Sequence, residues 1–165
     1  MVYYTSDHHF GHENIIKYCN RYTYCQTASE MDKILHDKWN SVVKETDIVI
    51  HLGDVYFKNR EILETLNGRK YLILGNHDIK NEQYLKFWFT IMDQISIDHQ
   101  NKLVLSHYPI KEWPQKYHGY IHLHGHSHGN VEGYDKDAID VGVDCWDGYP
   151  VTINQIRAKR ALRYV

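Results

Sequence analysis

Asp47-Ile48-Val49-Ile50-His51-Leu52-Gly53-Asp54 is an apolar, β-branched run halted by a glycine and followed by an acid. Tyr71-Leu72-Ile73-Leu74-Gly75-Asn76-His77-Asp78 repeats the plan. Short apolar runs bounded by turn residues read as buried strands. Glu61 to Leu66, closed by Asn67-Gly68, reads as the short helix between them. Upstream, Val2-Tyr3-Tyr4-Thr5 is a β-rich run. From about Ser29 to Val43, Met31, Ile34, Leu35, Lys38, Trp39 and Val42 recur at helical spacing, with Ser29 the expected N-cap. Strand, helix, strand, helix, strand predicts an α/β layered fold with a parallel sheet. The second half is richer in strands. Ile95–Asp98 and Lys102–Ser106 flank Gln100-Asn101 as a hairpin, and Tyr120–His124 and Ala138–Val143 follow, so the sheets are expected to be mixed. Residues 81–89 and about 152–162 are expected to be helical.

The rest of the chain is consistent with one domain spanning residues 1–165. Hydrophobic residues at 42% and charged residues at 24% belong to a globular protein, not a disordered one. No apolar run approaches the roughly 18 residues of a membrane helix, so no membrane partner is expected. The N-terminus lacks a basic segment followed by an apolar one. Cys19, Cys25 and Cys145 have no CxxC spacing and form no disulfide framework. Both features predict a cytoplasmic protein. A net charge of −2 gives no general attraction to nucleic acid. The unusual count is 13 histidines.

Their placement carries the chemistry. Ser6-Asp7-His8-His9 follows the first strand, Gly53-Asp54 the second and Gly75-Asn76-His77-Asp78 the third. His107 and Gly125-His126-Ser127-His128 follow two later strands. Loops at the carboxyl ends of parallel strands converge on one crevice, which is where open α/β sheets bind ligands. Imidazole with carboxylate suits manganese, iron, cobalt, nickel or zinc better than it suits magnesium or calcium. Seven donors exceed one tetrahedral zinc site and match two ions sharing a carboxylate.

These blocks, in this order, resemble the calcineurin-like metallophosphoesterase superfamily, whose pattern is Asp-x-His, Gly-Asp, Gly-Asn-His-Asp/Glu, a lone His and Gly-His-x-His. The match runs from residue 1 to about 145. The resemblance implies a four-layer αββα sandwich with two mixed β-sheets and a dinuclear metal site at strand C-terminal ends. It implies one ion on Asp7, His9, Asp54 and His128, and another on Asp54, Asn76, His107 and His126. Two divalent transition-metal ions follow as cofactors, manganese first. The implied activity is phosphodiester or phosphomonoester hydrolysis by in-line attack of a hydroxide held between the two ions. The expected substrate is a phosphate ester, derived first from nucleotide or nucleic acid. His77 would stand beside the phosphate as a catalytic residue, with Asp78 orienting its ring. The stretch Gly53-Asp54-Val55-Tyr56-Phe57-Lys58-Asn59-Arg60 lacks the second acid many members carry, which favours the small, uncapped enzymes over the protein-phosphatase branch. A scaffold of the same fold without catalysis is the competing reading.

Around these blocks, His8, His12 and Arg21 are the further candidates for substrate contact, Arg21 because a guanidinium matches phosphate oxygens in pairs. His122 and His124 read as buried supporting residues, and His36, His51, His99 and His118 as ordinary ones. Phe10, Tyr56, Phe57, Tyr108, Trp113, Tyr117 and Trp146 lie near the motif loops. Most are expected in packing, and one or two could stack on a base. Pro109–Gly119 reads either as a surface connection or as a rim that selects the leaving group.

Overall fold

The computed structural model describes residues 1–130 and 135–164. In chain order they form β1 (Val2–Thr5), α1 (Ile15–Tyr18), α2 (Ala28–Val42), β2 (Ile48–His51), β3 (Arg69–Leu72), α3 (Glu82–Leu85), β4 (Phe89–Ile91), β5 (Ile95–Asp98), β6 (Leu103–Ser106), β7 (Ile121–His124), β8 (Ala138–Asp140), β9 (Val151–Thr152) and α4 (Ile153–Ala161), with 3-10 turns between. Among the described residues no helix is long and apolar enough to cross a membrane.

The protein is α/β with two mixed sheets, as the strand pattern predicts. One has the order β4-β3-β2-β1-β9 and the other β5-β6-β7-β8. Strands β1 to β4 are mutually parallel and β9 joins β1 antiparallel. Strands β6 to β8 are parallel, and β5 pairs antiparallel with β6 as the expected hairpin.

Alternation along the strands sorts side chains to two faces. Tyr4, Val151, Leu103, Leu105, Leu123 and Ile139 form one apolar cluster drawn from both sheets, so the sheets face each other across it. On the other side of the first sheet lies a second cluster, where α2 buries Met31, Leu35 and Trp39, one turn apart, against Tyr3, Val49 and Leu72. Trp113, from the 109–119 loop, covers Val104 and Ala138 on the outer face of the second sheet.

Boundaries differ from expectation for physical reasons. Thr27, not Ser29, caps α2, its hydroxyl accepting the Glu30 N–H at 3.2 Å. Glu61–Thr65 is a 3-10 turn rather than an α-helix. Strand β3 starts at Arg69 because its register pairs Ile48 with Arg69. Helix α3 stops at Leu85, and Phe89 begins an edge strand within the segment expected to be wholly helical. The predicted tail helix is present, closed by a capping box between Thr152 and Gln155.

Parallel pairing puts the carboxyl ends of β1, β2 and β3 on one edge, and those of β6, β7 and β8 likewise. A parallel bridge between Ser6 and Gly142 stitches the two edges together, with the Val143 N–H donating to the Ser6 carbonyl at 3.1 Å.

Candidate metal centre

Tight turns bring the five loops together. The Asp7 N–H donates to the Gly53 carbonyl at 3.0 Å, and the His9 N–H to that of Asp54 at 3.1 Å. Across the other sheet the Gly125 N–H donates to the His107 carbonyl at 3.0 Å. Close approach leaves no room for a side chain at two glycines. A Cβ on Gly75 would stand 2.2 Å from Asp54 Oδ1, and one on Gly125 2.4 Å from Asp7 Oδ2. Asp7, His9, Asp54, His126 and His128 all adopt positive φ, between 49° and 67°, although none is glycine. Such backbone costs energy and persists where the surrounding structure enforces it, often at functional sites.

Among the described residues four donor groups result, of which two match the expected ligand sets, Asp7 with His9 and His128, and Asp54 with His107 and His126; the others are His9 with Asp54 and His77, and Cys19 with His128 and Asp144. Each carboxylate is split between a structural and an open oxygen. Asp7 Oδ2 accepts the His126 N–H at 2.9 Å, while Asp7 Oδ1 is buried without a hydrogen-bond partner. Asp54 Oδ1 accepts the His77 N–H at 3.0 Å. Asp54 Oδ2 lies 3.6 Å from His9 Nε2 in the first group and 3.6 Å from His107 Nε2 in the second. This carboxylate oxygen is thus equally far from one nitrogen of each group.

The imidazole nitrogens face inward as lone-pair donors. His107 Nδ1 donates to the Leu52 carbonyl at 2.7 Å, which leaves Nε2 facing Asn76 Oδ1 at 3.1 Å and Asp54. His9 Nε2 is buried without a partner, 3.9 Å from Asp7 Oδ1. Burial, the first cause, holds His9 well below its ordinary pKa and lowers that of His107. Burial likewise pushes Asp7 up to about 8, with Asp140 and Asp54 adding to it and His128 opposing. Burial opposes charge on His128, yet its bonds to Asp144 and Cys19 and the nearby Asp7 hold it at about 10. The neutral imidazoles of His9 and His107 turn nitrogens toward Asp54 Oδ2, and Asp7 Oδ1 is buried without a partner, so divalent cations would find both lone pairs and carboxylate oxygens here. The donor set therefore fits a pair of such ions.

All seven residues read from the sequence as ligands are brought together here. His77 stands at the mouth, half-exposed, its Nε2 3.9 Å from Asp54 Oδ2. The mouth opens into a cavity of about 370 Å³ whose walls include His12, Ile15, Tyr18 and Phe57. His12 lines this cavity, stacked on Phe57 with centroids 4.3 Å apart. Tyr108 packs its edge on His126 at 4.7 Å.

Three expectations need correction. Asp78 does not orient His77. Its buried carboxylate accepts N–H groups of Asp54, Val55 and Gly75 at 2.6, 2.9 and 2.9 Å, tying two ligand loops from behind. His8 is wholly buried among Phe10 and Trp39 and bonds His51 Nε2 at 2.9 Å through Nδ1, so it cannot meet substrate. Arg21 is also wholly buried. Its Nε and Nη2 grip Asp144, and its Nη2 and Nη1 donate to the carbonyls of Asp7 and His8, so the fork has no reach toward a phosphate.

The sequence reading missed Asp140 and Asp144. Asp140 accepts Ser127 Oγ and the Gly129 N–H at 2.8 and 2.9 Å and so holds the Gly125–Gly129 turn. The signal was present, since Ala138-Ile139-Asp140-Val141-Gly142 is another apolar strand ending in an acid and a glycine. Asp144 accepts His128 Nδ1–H at 2.7 Å. His122 and His124 are buried, as expected, His122 Nδ1 donating to the Val104 carbonyl at 3.1 Å.

No protein-family model matches the chain. It is 36% identical to the uncharacterized protein MJ1445 of Methanocaldococcus jannaschii, over 94% of this chain and 88% of that one. It is 29% identical to the gene 66 protein of mycobacterium phage D29, over 88% of each chain. The crystal structure of a protein of unknown function from Aquifex aeolicus, AQ665, is similar with a TM-score of 0.75 and 32% identity, over 96% of this chain and 98% of that one.

Proposed function

The chain belongs to the family of the uncharacterized archaeal protein MJ1445, and we propose that it is a dinuclear metal-dependent phosphoesterase of the calcineurin-like kind. The observation that carries this reading is the position of Asp54 Oδ2, 3.6 Å from the open nitrogen of His9 on one side and of His107 on the other. Asp7, His9, Asp54 and His128 would hold one divalent ion. Asp54, Asn76, His107 and His126 would hold the second, with manganese the first expectation. Bound there, the ions supply Lewis acidity toward phosphate oxygens and make water a nucleophile near neutral pH.

The chain's own groups do the rest. The N–H of His126 and that of His77 each hold one oxygen of Asp7 and Asp54, so the open oxygens keep their aim. His77, at the mouth, is placed to hand a proton from its ring to a leaving oxygen. Half-exposed Phe57 lines the cavity and half-exposed Tyr108 packs on His126 beside it, and aromatic faces of that kind suit a nucleobase, which supports nucleotide or nucleic-acid-derived esters. We read the architecture as the four-layer αββα sandwich of that superfamily, with the 109–119 loop serving as the thin outer layer over β6 and β7.

The test is turnover of manganese-loaded protein on phosphomonoesters, cyclic nucleotides, dinucleotides and single-stranded oligonucleotides, with Asp54→Ala as control. Cleavage of one class, lost in Asp54→Ala, is the expected result. Two bound ions with no ester cleaved would instead favour a non-catalytic scaffold.

A further inference from the structure

On the reading that Asp7, His9 and His128 hold a divalent ion, we propose that Asp144, clamped by Arg21, is the positioning residue for that ion. It fixes the His128 ring so that Nδ1–H points to the carboxylate and the Nε2 lone pair points to the donor group.

Asp144 sits in the 3-10 turn Val143–Cys145, just beyond the bridge that joins the two sheets. Its Oδ2 accepts from His128 Nδ1 at 2.7 Å and from Arg21 Nη2 at 2.8 Å, and its Oδ1 accepts from Arg21 Nε at 2.8 Å. The remaining donors of the guanidinium reach Asp7 O at 2.7 Å, His8 O at 2.8 Å and Met31 Sδ at 3.4 Å. The fork is thus saturated and the carboxylate cannot rotate. One buried cation ties the loop carrying Asp7 and His9 to the carboxylate that orients His128.

Stability alone is a poor reason for this network. A buried ion pair is often no better than apolar packing of the same volume. Orientation of a ligating imidazole by a carboxylate is what such a pair does well, since it sets the tautomer and the ring plane. Cys19, His128 and Asp144 also lie close enough to resemble a separate metal group. The Arg21 guanidinium already neutralises Asp144 and opposes a cation there, so His128 serves the Asp7 side.

Titration calorimetry with Mn²⁺ is the test. Wild type is expected to take two ions, and Asp144→Asn to weaken one binding step by about 10- to 100-fold while leaving the other unchanged. Arg21→Lys, which keeps charge but loses the fork, should weaken the same step. A second measurement on unaltered protein needs no variant to fold. With ¹⁵N-histidine labelling and ¹¹³Cd loading, His128 should couple to cadmium through Nε2 and retain a proton on Nδ1. Two ions bound with undiminished affinity in Asp144→Asn, or cadmium on Nδ1, would overturn the positioning role alone. Wild type that binds no Mn²⁺ and shows no cadmium coupling would overturn the metal reading beneath it.

Discussion

The carboxylate of Asp78 receives the backbone N–H of Asp54 at 2.6 Å, from behind the loop that presents Asp54 to the site. With the Val55 and Gly75 N–H groups it closes three buried donors at once. Asp78→Ala leaves all three unmatched, at about 1 kcal/mol or more each. The melting temperature should fall by roughly 6–12 °C for a chain of this size, and Asp78→Asn, which keeps one acceptor oxygen, by less. An Asp78→Ala protein that melts like wild type but loses turnover would refute this structural role and restore a catalytic one.

Asp54 and His77 separate binding from chemistry. Asp54→Asn replaces the oxygen shared by both donor groups, so bound manganese should fall from two ions toward none, and turnover with it. His77→Ala removes a ring that packs on His9 at 5.3 Å and stands 3.9 Å from Asp54 Oδ2, but leaves the backbone N–H that holds Asp54 Oδ1. It should keep two ions and lose about 10²- to 10⁴-fold in kcat, the usual worth of a positioned acid. Metal content by mass spectrometry alongside steady-state kinetics checks both. Loss of an ion in His77→Ala would make that residue a ligand instead.

Much of this was legible in the chain because the strands are short and apolar and run directly into their polar residues, with glycine at the turn in Gly53-Asp54, Gly75-Asn76 and Gly125-His126, so strand and candidate site residue are read in one glance. The failures share a cause. Arg21 and Asp144 are 123 residues apart, and nothing local to either names the other. Asp78 follows His77 in sequence, yet its side chain turns back onto the Asp54 loop, a direction set by unmatched N–H groups elsewhere. His8 alternates with Asp7 and His9 and so falls on the core side. The edge strand Phe89–Ile91 is too short to show a period, and pairing with Lys70–Leu72 decides it.

Gly125 offers a steric test of the first donor group. A Cβ there would meet Ser6 Oγ at 2.1 Å and Asp7 Oδ2 at 2.4 Å. Gly125→Ala should cost about 1–3 kcal/mol by overpacking and abolish one Mn²⁺ binding step by displacing Asp7. Gly119→Ala meets open space at a φ of +79° and carries backbone strain alone, so both ions should still bind. Equal metal binding in the two variants would remove Asp7 from the ligand set.

Stability of the metal-free protein should peak slightly below neutral pH. On the acid side, burial keeps His8 well below its ordinary pKa, His51 at about 3 and His122 at about 4. Their contribution is present above about 6.5 and is lost as pH falls. On the alkaline side, burial raises Asp7 to about 8 and, against three N–H donors, Asp78 to about 7. The native state keeps protons there that the unfolded chain gives up near pH 4, so this stability drains away as pH rises through 7 and 8. His128, held at about 10 by Asp144 despite burial, adds to the loss above 6.5. Metal binding expels the protons on Asp7 and His128. The rise in melting temperature on adding Mn²⁺ should therefore be larger at pH 8 than at pH 6, and an equal or smaller rise at pH 8 would count against these ligands.

Phe57 tests the substrate class. Its ring is 44% exposed, stacked on His12 and at 5.9 Å from His77, so one face remains for a planar group entering the mouth. Stacking on a base is worth about 1–3 kcal/mol, which corresponds to roughly 5- to 150-fold in KM. Phe57→Ala should raise KM by that factor for nucleotide esters while leaving glycerophosphate, which has no ring, nearly unchanged. Because neither His77 nor any metal donor bonds to Phe57, kcat should hold for both substrates. A uniform loss across the two would show that Phe57 merely shapes the His12 wall, and the proposed nucleotide substrate would lose its support at this residue.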